Sequence, residues 1–382
     1  MRSKKIQVSK NKKIFIALIY LLYLFIISAF EFLIYSYFTG NKHSELTLID
    51  IFDPNFKNIN DTIFQKTYNQ TLPYILNPNT TKVHQEIPYS TNSYGFRDRE
   101  YTIEKNTPRI IFLGDSFTFG YGLSSEQTFV KILENLLTNN YTNNNWEVMN
   151  FGISGYNTKW EVGLLEENGL KFSPDIVILM YYINDPDDDV ENVSLGNNGM
   201  KITLKISNYF EGKLFNQTEK SEVEEFLIQQ GIFNKFKSLK NTVCGYDYHC
   251  QIHYIPIFWN GVKDSFEKLD LLSKKYNFTV IVAILPNLNY LPMENYQFKE
   301  IHSLVSEEVK KHNFYVLDFL PILSKYPVKK LKLSDLDAHT SYYANQIIAI
   351  TLKNYLQEEN LMDQYKLNFN KNASLEIKKV HI

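Results

Sequence analysis

Cysteine is nearly missing from this chain: 382 residues hold two, Cys244 and Cys250. Their spacing fits no strong zinc pattern, even with His249 and His253 beside them. A disulfide closing this small loop suits an extracytoplasmic location, and two unpaired thiols in an insertion loop are the alternative. A surplus of either charge is also missing. Lys and Arg number 40 against 42 Asp and Glu, a formal net charge of −2. No basic surplus points to nucleic acid as a partner, and none is expected. Histidine is scarce, with 8 in the chain. A small-x-small cleavage site is absent after the long apolar stretch near the amino terminus, which argues against a removed signal peptide.

That stretch, Ile14 to Tyr37, is nearly unbroken apolar sequence, interrupted by Ser28, Glu31 and Ser36. It is longer than a signal-peptide core and meets the requirement of about 20 apolar residues for a transmembrane helix. Lys4, Lys5, Lys10, Lys12 and Lys13 precede it, so the positive-inside rule places residues 1–13 in the cytoplasm and the remainder outside. The expected organisation is a transmembrane helix at 14–38, a stalk and lead-in segment at 39–107, a catalytic domain at 108–358 with an insertion at about 186–255, and a polar, frayed tail at 359–382. Arg97 and Arg99 in the lead-in are expected to pair with the adjacent Asp98 and Glu100.

From Arg109 onward, strand and helix patterns alternate. Ile110–Leu113 is a short apolar run of the kind that forms a buried parallel strand. Trp146–Asn150, Pro174–Tyr182, Thr279–Leu285 and Phe314–Asp318 follow as strands. Thr128–Leu137, Thr158–Gly169, Trp259–Tyr276, Glu294–His312 and Asn345–Leu356 have helical spacing. This alternation predicts a parallel sheet with helices on both faces. In such a sheet, ligands bind at the carboxyl ends of the strands. Ser116 stands there, just past the first strand and at the start of a helical segment.

Four motifs occur in order along this domain. Gly114-Asp115-Ser116 follows the first strand. Asn150-Phe-Gly-Ile-Ser-Gly-Tyr-Asn-Thr158 follows the second. Ile183-Asn184-Asp185 follows the third, and Asp337-Ala338-His339 follows the last. Together they resemble the blocks of the SGNH, or GDSL-type, hydrolases over roughly Arg109 to Tyr355. One departure is Tyr181-Tyr182, where that family usually has Gly. Thr91-Asn-Ser-Tyr-Gly-Phe-Arg-Asp98 is similar to the lead-in of many bacterial members. The resemblance implies a three-layer α/β/α domain with a mostly parallel, flavodoxin-like sheet, here preceded by one transmembrane helix.

The resemblance also implies roles. Ser116 would be the nucleophile, with His339 as its base and Asp337 orienting the imidazole; Asp335 is the fallback for the orienter. Backbone N–H groups of Ser116 and Gly155 and the amide of Asn184 would form the oxyanion hole. Asp115 and Asp185 are expected to hold turns through side-chain-to-backbone hydrogen bonds. No cofactor or metal is called for. The expected activity is hydrolysis of an O-acyl or O-acetyl ester on an envelope glycan or carbohydrate. The alternatives are a lipid esterase or acyltransferase using the same site, and an anchored binding protein that has lost catalysis.

Overall fold

The computed structural model of the protein describes residues 63–67, 71–84, 86–138, 145–186, 228, 247–362 and 365. The expected transmembrane helix at 14–38, the cytoplasmic end and most of the insertion lie outside these residues. Among the described residues no helix is long and apolar enough to cross a membrane.

Two small antiparallel hairpins come first: β1 (Phe64–Lys66) with β2 (Tyr74–Leu76), and β3 (Thr81–His84) with β4 (Ile87–Ser90). They fall inside the segment expected to be stalk. They pack because Leu72, Tyr74, Leu76, Tyr89 and Phe96 are all buried. Burying one such side chain is worth about 1.5–3 kcal/mol, so this segment adheres to the domain from Ile63 onward.

The central sheet has five strands: β5 (Arg109–Gly114), β6 (Glu147–Gly152), β7 (Ile176–Tyr181), β8 (Thr279–Ile284) and β9 (Tyr315–Asp318). Their spatial order is β6-β5-β7-β8-β9, and every pairing is parallel. This is the flavodoxin-like order, with the switch point between β5 and β7. Both strands at that point are buried along their whole length, as the apolar runs Ile110–Leu113 and Ile176–Tyr181 require.

Five helices cover the sheet: α1 (Phe129–Leu137), α2 (Thr158–Leu164), α3 (Pro256–Tyr276), α4 (Lys299–Lys311) and α5 (Tyr342–Glu358). α1 packs on α5, and α2 packs on α3. Right-handed crossovers put these pairs on opposite faces, because the strand order reverses at β5. Caps set several helix starts. Thr128 caps α1, Asn157 caps α2, and Ser341 caps α5, which starts at Tyr342, three residues before the expected Asn345. α4 starts later than its periodicity suggests. Tyr296 is held outside the helix, its hydroxyl accepting from the Asn287 N–H and meeting the His302 ring.

Two further expectations change. Chain beyond Asn360 is not all frayed: Leu361, Met362 and Tyr365 are buried, and the Tyr365 and Thr279 hydroxyls are 2.6 Å apart. At the end of the insertion, Cys250, Gln251, Ile252 and His253 are buried. Cys250 is disulfide-bonded; Cys244 lies outside the described residues.

Candidate active site

The site is built where β5 ends. Gly114 closes the strand, and Asp115 caps a single helical turn, Ser116–Phe119, by accepting the Phe117 N–H at 2.9 Å. The turn is stopped at Gly120. Ser116 is thus the first residue of the turn, with its hydroxyl at the carboxyl edge of the sheet. The neighbouring strand must come very close to this turn. A side chain at Gly152 would meet the Phe119 nitrogen at 2.2 Å and the Thr118 carbonyl carbon at 2.5 Å, so glycine ends β6. Asn150 ties β6 to the turn: its amide donates to the Thr118 carbonyl at 2.8 Å and accepts the Gly152 N–H at 2.9 Å.

His339 arrives from the loop between β9 and α5. Its Nε2 lies 2.7 Å from Ser116 Oγ, although the two residues are 223 positions apart. Its Nδ1 lies 2.7 Å from Asp337 Oδ1, and the same oxygen accepts the His339 backbone N–H at 2.9 Å. A carboxylate at Nδ1 keeps the proton there and leaves the Nε2 lone pair facing the serine hydroxyl. Burial pushes the Asp337 carboxyl up, but the hydrogen bonds from His339 outweigh it and the net shift is downward. Asp335 is not the partner; its backbone carbonyl accepts from the Lys332 ammonium. Phe117 and Tyr121 flank the imidazole, with ring centroids 5.0 and 4.8 Å away. Tyr182, at the family's usual glycine position, rests on Phe117 at 4.4 Å.

The expected oxyanion donors sit on the loops around Ser116. Gly155 has φ +79°, a left-handed conformation that favours glycine. Its loop is held by the Tyr156 N–H donating to Ile153 and by the Tyr74 hydroxyl donating to Ser154. Asn184 donates from Nδ2 to Asp115 Oδ2 at 3.4 Å. Asp115 serves its own turn, as expected. Burial pushes its carboxyl up to about 6, against the lowering pull of the Phe117 N–H, His339 and Asn184. Asp185 does more than hold a turn: its Oδ2 accepts from the Thr158 hydroxyl of α2 at 2.8 Å.

Several supporting residues escaped the sequence reading. Arg97 pairs with no neighbouring carboxylate. Its guanidinium is buried and donates to the carbonyls of Phe119 (2.7 Å), Gly120 (2.8 Å) and Leu123, the segment directly after Ser116. The Tyr89 and Phe119 rings lie against it. Arg99 pairs with Glu134 instead of Glu100, and Asp98 pairs with Lys131. Asn150 stood inside a quoted motif, but nothing in its spacing marked its partner. Glu161 fits its helical pattern and carries no local signal, yet it is fully buried.

An activatable hydroxyl and an oriented base at the carboxyl edge of the sheet, with Gly155 and Asn184 on the loops after the two neighbouring strands, can perform acyl transfer. No curated protein matches the chain. Among solved structures it is similar to the acetyl xylan esterase AlAXEase, at 13% identity over 65% of this chain and 99% of that one, with a TM-score of 0.39. It is also similar to Axe2, an acetylxylan esterase from Geobacillus stearothermophilus, at 16% identity, 66% and 93% coverage and a TM-score of 0.39. TesA is similar at 12% identity, 65% and 98% coverage and a TM-score of 0.38. The family model of the GDSL-like lipase/acylhydrolases matches residues 112–347, which include all four motifs from Gly114 to His339. On that match the chain belongs to the GDSL-like lipase/acylhydrolase family and is a hydrolase acting on ester bonds.

Proposed function

We propose that the protein is a membrane-anchored serine esterase that removes O-acyl groups, acetyl first among them, from an envelope glycan or other carbohydrate through an acyl-enzyme. The observation that carries the serine mechanism is the continuous relay Ser116 Oγ–His339 Nε2 and His339 Nδ1–Asp337, each contact 2.7 Å. In the first step Ser116 Oγ attacks the ester carbonyl carbon while His339 Nε2 takes the hydroxyl proton. The carbonyl oxygen becomes an oxyanion, which accepts from the N–H groups of Ser116 and Gly155 and from the Asn184 amide. Each such donor contributes about 3 kcal/mol in comparable sites. Collapse of the intermediate breaks the bond to the leaving alkoxide, and His339 returns the proton to it. Water, activated by the same imidazole, then releases the carboxylic acid from Ser116.

Support for the location comes from residues 14–38, whose length and flanking lysines suit an anchor that holds the domain outside the cytoplasm. A sugar hydroxyl replacing water in the second step would make the same site an acyltransferase, and a lipid ester is the other substrate reading. The test is labelling with a fluorophosphonate probe, followed by hydrolysis of aryl esters of graded chain length beside an acetylated-glycan panel. Wild type is expected to label, and Ser116→Ala to lose both label and turnover while remaining folded. An alanine variant with near-wild-type turnover would exclude the serine mechanism. An unlabelled wild type would favour a binding protein without catalysis.

A further inference from the structure

β6 is the outermost strand on its side of the sheet. An edge strand turns a row of backbone N–H and carbonyl groups away from its neighbour. Here side chains from the lead-in and from α1 take them. The Val148 N–H donates to Glu134 Oε1 at 3.1 Å. The Val148 carbonyl accepts from the Tyr101 hydroxyl at 2.9 Å and from Lys131 Nζ at 3.2 Å. The Asn150 N–H donates to Asp98 Oδ2 at 2.7 Å. Lead-in and helix thus fill the place of a further strand.

Asp98 is at the centre of this arrangement. Its side chain is 1% exposed and that of Lys131 5%. Asp98 Oδ1 lies 2.7 Å from Lys131 Nζ and accepts the Arg99 N–H at 2.8 Å. Lys131 also pairs with Glu134, and Glu134 pairs with Arg99, so two cations and two carboxylates balance. A buried ion pair gives little net stability over apolar side chains of similar volume. It does fix direction: a carboxylate held from one side by an ammonium presents its other oxygen at one place. Asp98 presents that oxygen to Asn150. Asn150 in turn holds the nucleophile turn, by donating from its amide to the Thr118 carbonyl at 2.8 Å. A continuous line of hydrogen bonds therefore runs from Lys131 through Asp98 and Asn150 to the turn that begins at Ser116.

We propose that Asp98 is a positioning residue for the acyl-transfer site: its carboxylate, backed by Lys131, sets where Asn150 sits, and Asn150 sets where the turn carries Ser116 Oγ against His339 Nε2. The proposal rests on the serine-esterase reading above. Asp98 takes no part in the bond changes and acts through Asn150. A single helical turn does not hold its own shape. β6 also approaches that turn so closely at Gly152 that a shift of the strand end is a shift of the turn. Nucleophile and base then lose alignment, and misplacing reacting groups by about 1 Å costs on the order of 10²-fold in rate. Substrate binding depends less on that alignment, so the loss falls on kcat.

The test compares two double variants of equal charge and similar size, Asp98→Asn with Lys131→Met and Asp98→Leu with Lys131→Met. Both remove one charge of each sign and leave Arg99 with Glu134. Asparagine keeps an oxygen for the Asn150 N–H, and leucine does not. kcat and KM are measured on one short-chain aryl ester, with urea midpoints and fluorophosphonate labelling of Ser116 alongside. The asparagine variant is expected to keep kcat within about threefold of wild type, and the leucine variant to lose roughly tenfold or more with KM little changed. Asn150→Ala is expected to lose as much. Adding the leucine pair to Asn150→Ala is expected to cost little more, because residues in one hydrogen-bond network do not act additively. Asp98→Glu keeps the ion pair but is one methylene longer; it is expected to fold and to lose kcat, and it decides if the leucine variant does not fold. An unlabelled wild type would remove the serine reading itself. With a labelled wild type, equal kcat in the asparagine and leucine variants, additive losses with Asn150→Ala, or wild-type kcat in Asp98→Glu would overturn the positioning role alone.

Discussion

Asp337 and Asp335 differ by two positions and have quite different surroundings. Asp337 Oδ1 touches both the His339 ring and its backbone N–H, because two residues of chain can fold back onto the ring. Asp337→Asn is expected to lower turnover by roughly 10²–10⁴, through loss of the tautomer that frees Nε2. Asp335→Asn is expected to cost far less. The check is kcat of both purified variants on one ester at one pH, and a larger loss from Asp335→Asn would move the orienting role. Asp115 supplies a pH signature of stability. Its carboxyl is raised from 3.8 to about 6 in the folded protein. The folded state therefore keeps a proton that the unfolded chain has lost between these values. The stability this group contributes is present at low pH and disappears as pH rises through about 6, by on the order of 3 kcal/mol. Urea unfolding at pH 4 and pH 7 should show wild type losing more stability on this rise than Asp115→Asn.

At the scale of elements, the nucleophile turn is one short helical turn that could not hold its own shape. The lead-in before β5 holds it. Arg97 spreads one guanidinium over three carbonyls after Ser116, and the Tyr89 hydroxyl accepts the Gly122 N–H at 2.9 Å. Cationic donors at the end of a helical turn satisfy carbonyls that have no partner within it. Arg97→Lys is expected to fail as a substitute, because an ammonium cannot match the planar fork. A stability loss of about 2–3 kcal/mol is expected, with a fall in kcat larger than the change in KM. Urea midpoints at unchanged m, together with steady-state kinetics, measure both. Wild-type kinetics in Arg97→Lys would show that the turn is held by other contacts.

For the whole molecule, the hairpins make the lead-in part of the catalytic domain. A chain beginning at residue 39 is expected to fold and hydrolyse ester, whereas one beginning at 108 loses the buried Leu72, Tyr74, Leu76 and Phe96 and is expected to aggregate. Size-exclusion chromatography and ester hydrolysis distinguish them. An active, monomeric chain from 108 would make the lead-in dispensable. Reporter fusions after Gly40 are expected to be active only outside the cytoplasm. Recovery of the native amino terminus beyond residue 38 would instead show a cleaved signal and remove the anchor.

Read alone, the sequence was enough for the parallel sheet, its five strands and the residues that meet at its edge. Buried parallel strands are continuous apolar runs, and glycine, serine, asparagine and histidine stand at the turns that follow them. That Asp337, and not Asp335, would reach the His339 ring was also legible, because the contact depends on a few residues of chain. Tertiary structure decided the rest. The lead-in strands are three or four residues long, too short for alternation to show. Arg97 stood beside acidic residues in sequence, yet its partners are carbonyls 22 to 26 positions away. Glu161 occupies a helix whose pattern leaves it looking solvated, and it becomes buried only when α2 is pressed between β7 and α3. Periodicity reports which side of an element is apolar. Which polar groups from different elements converge beneath the serine is set by how sheet, turns and helices pack, and no local stretch of chain carries that information.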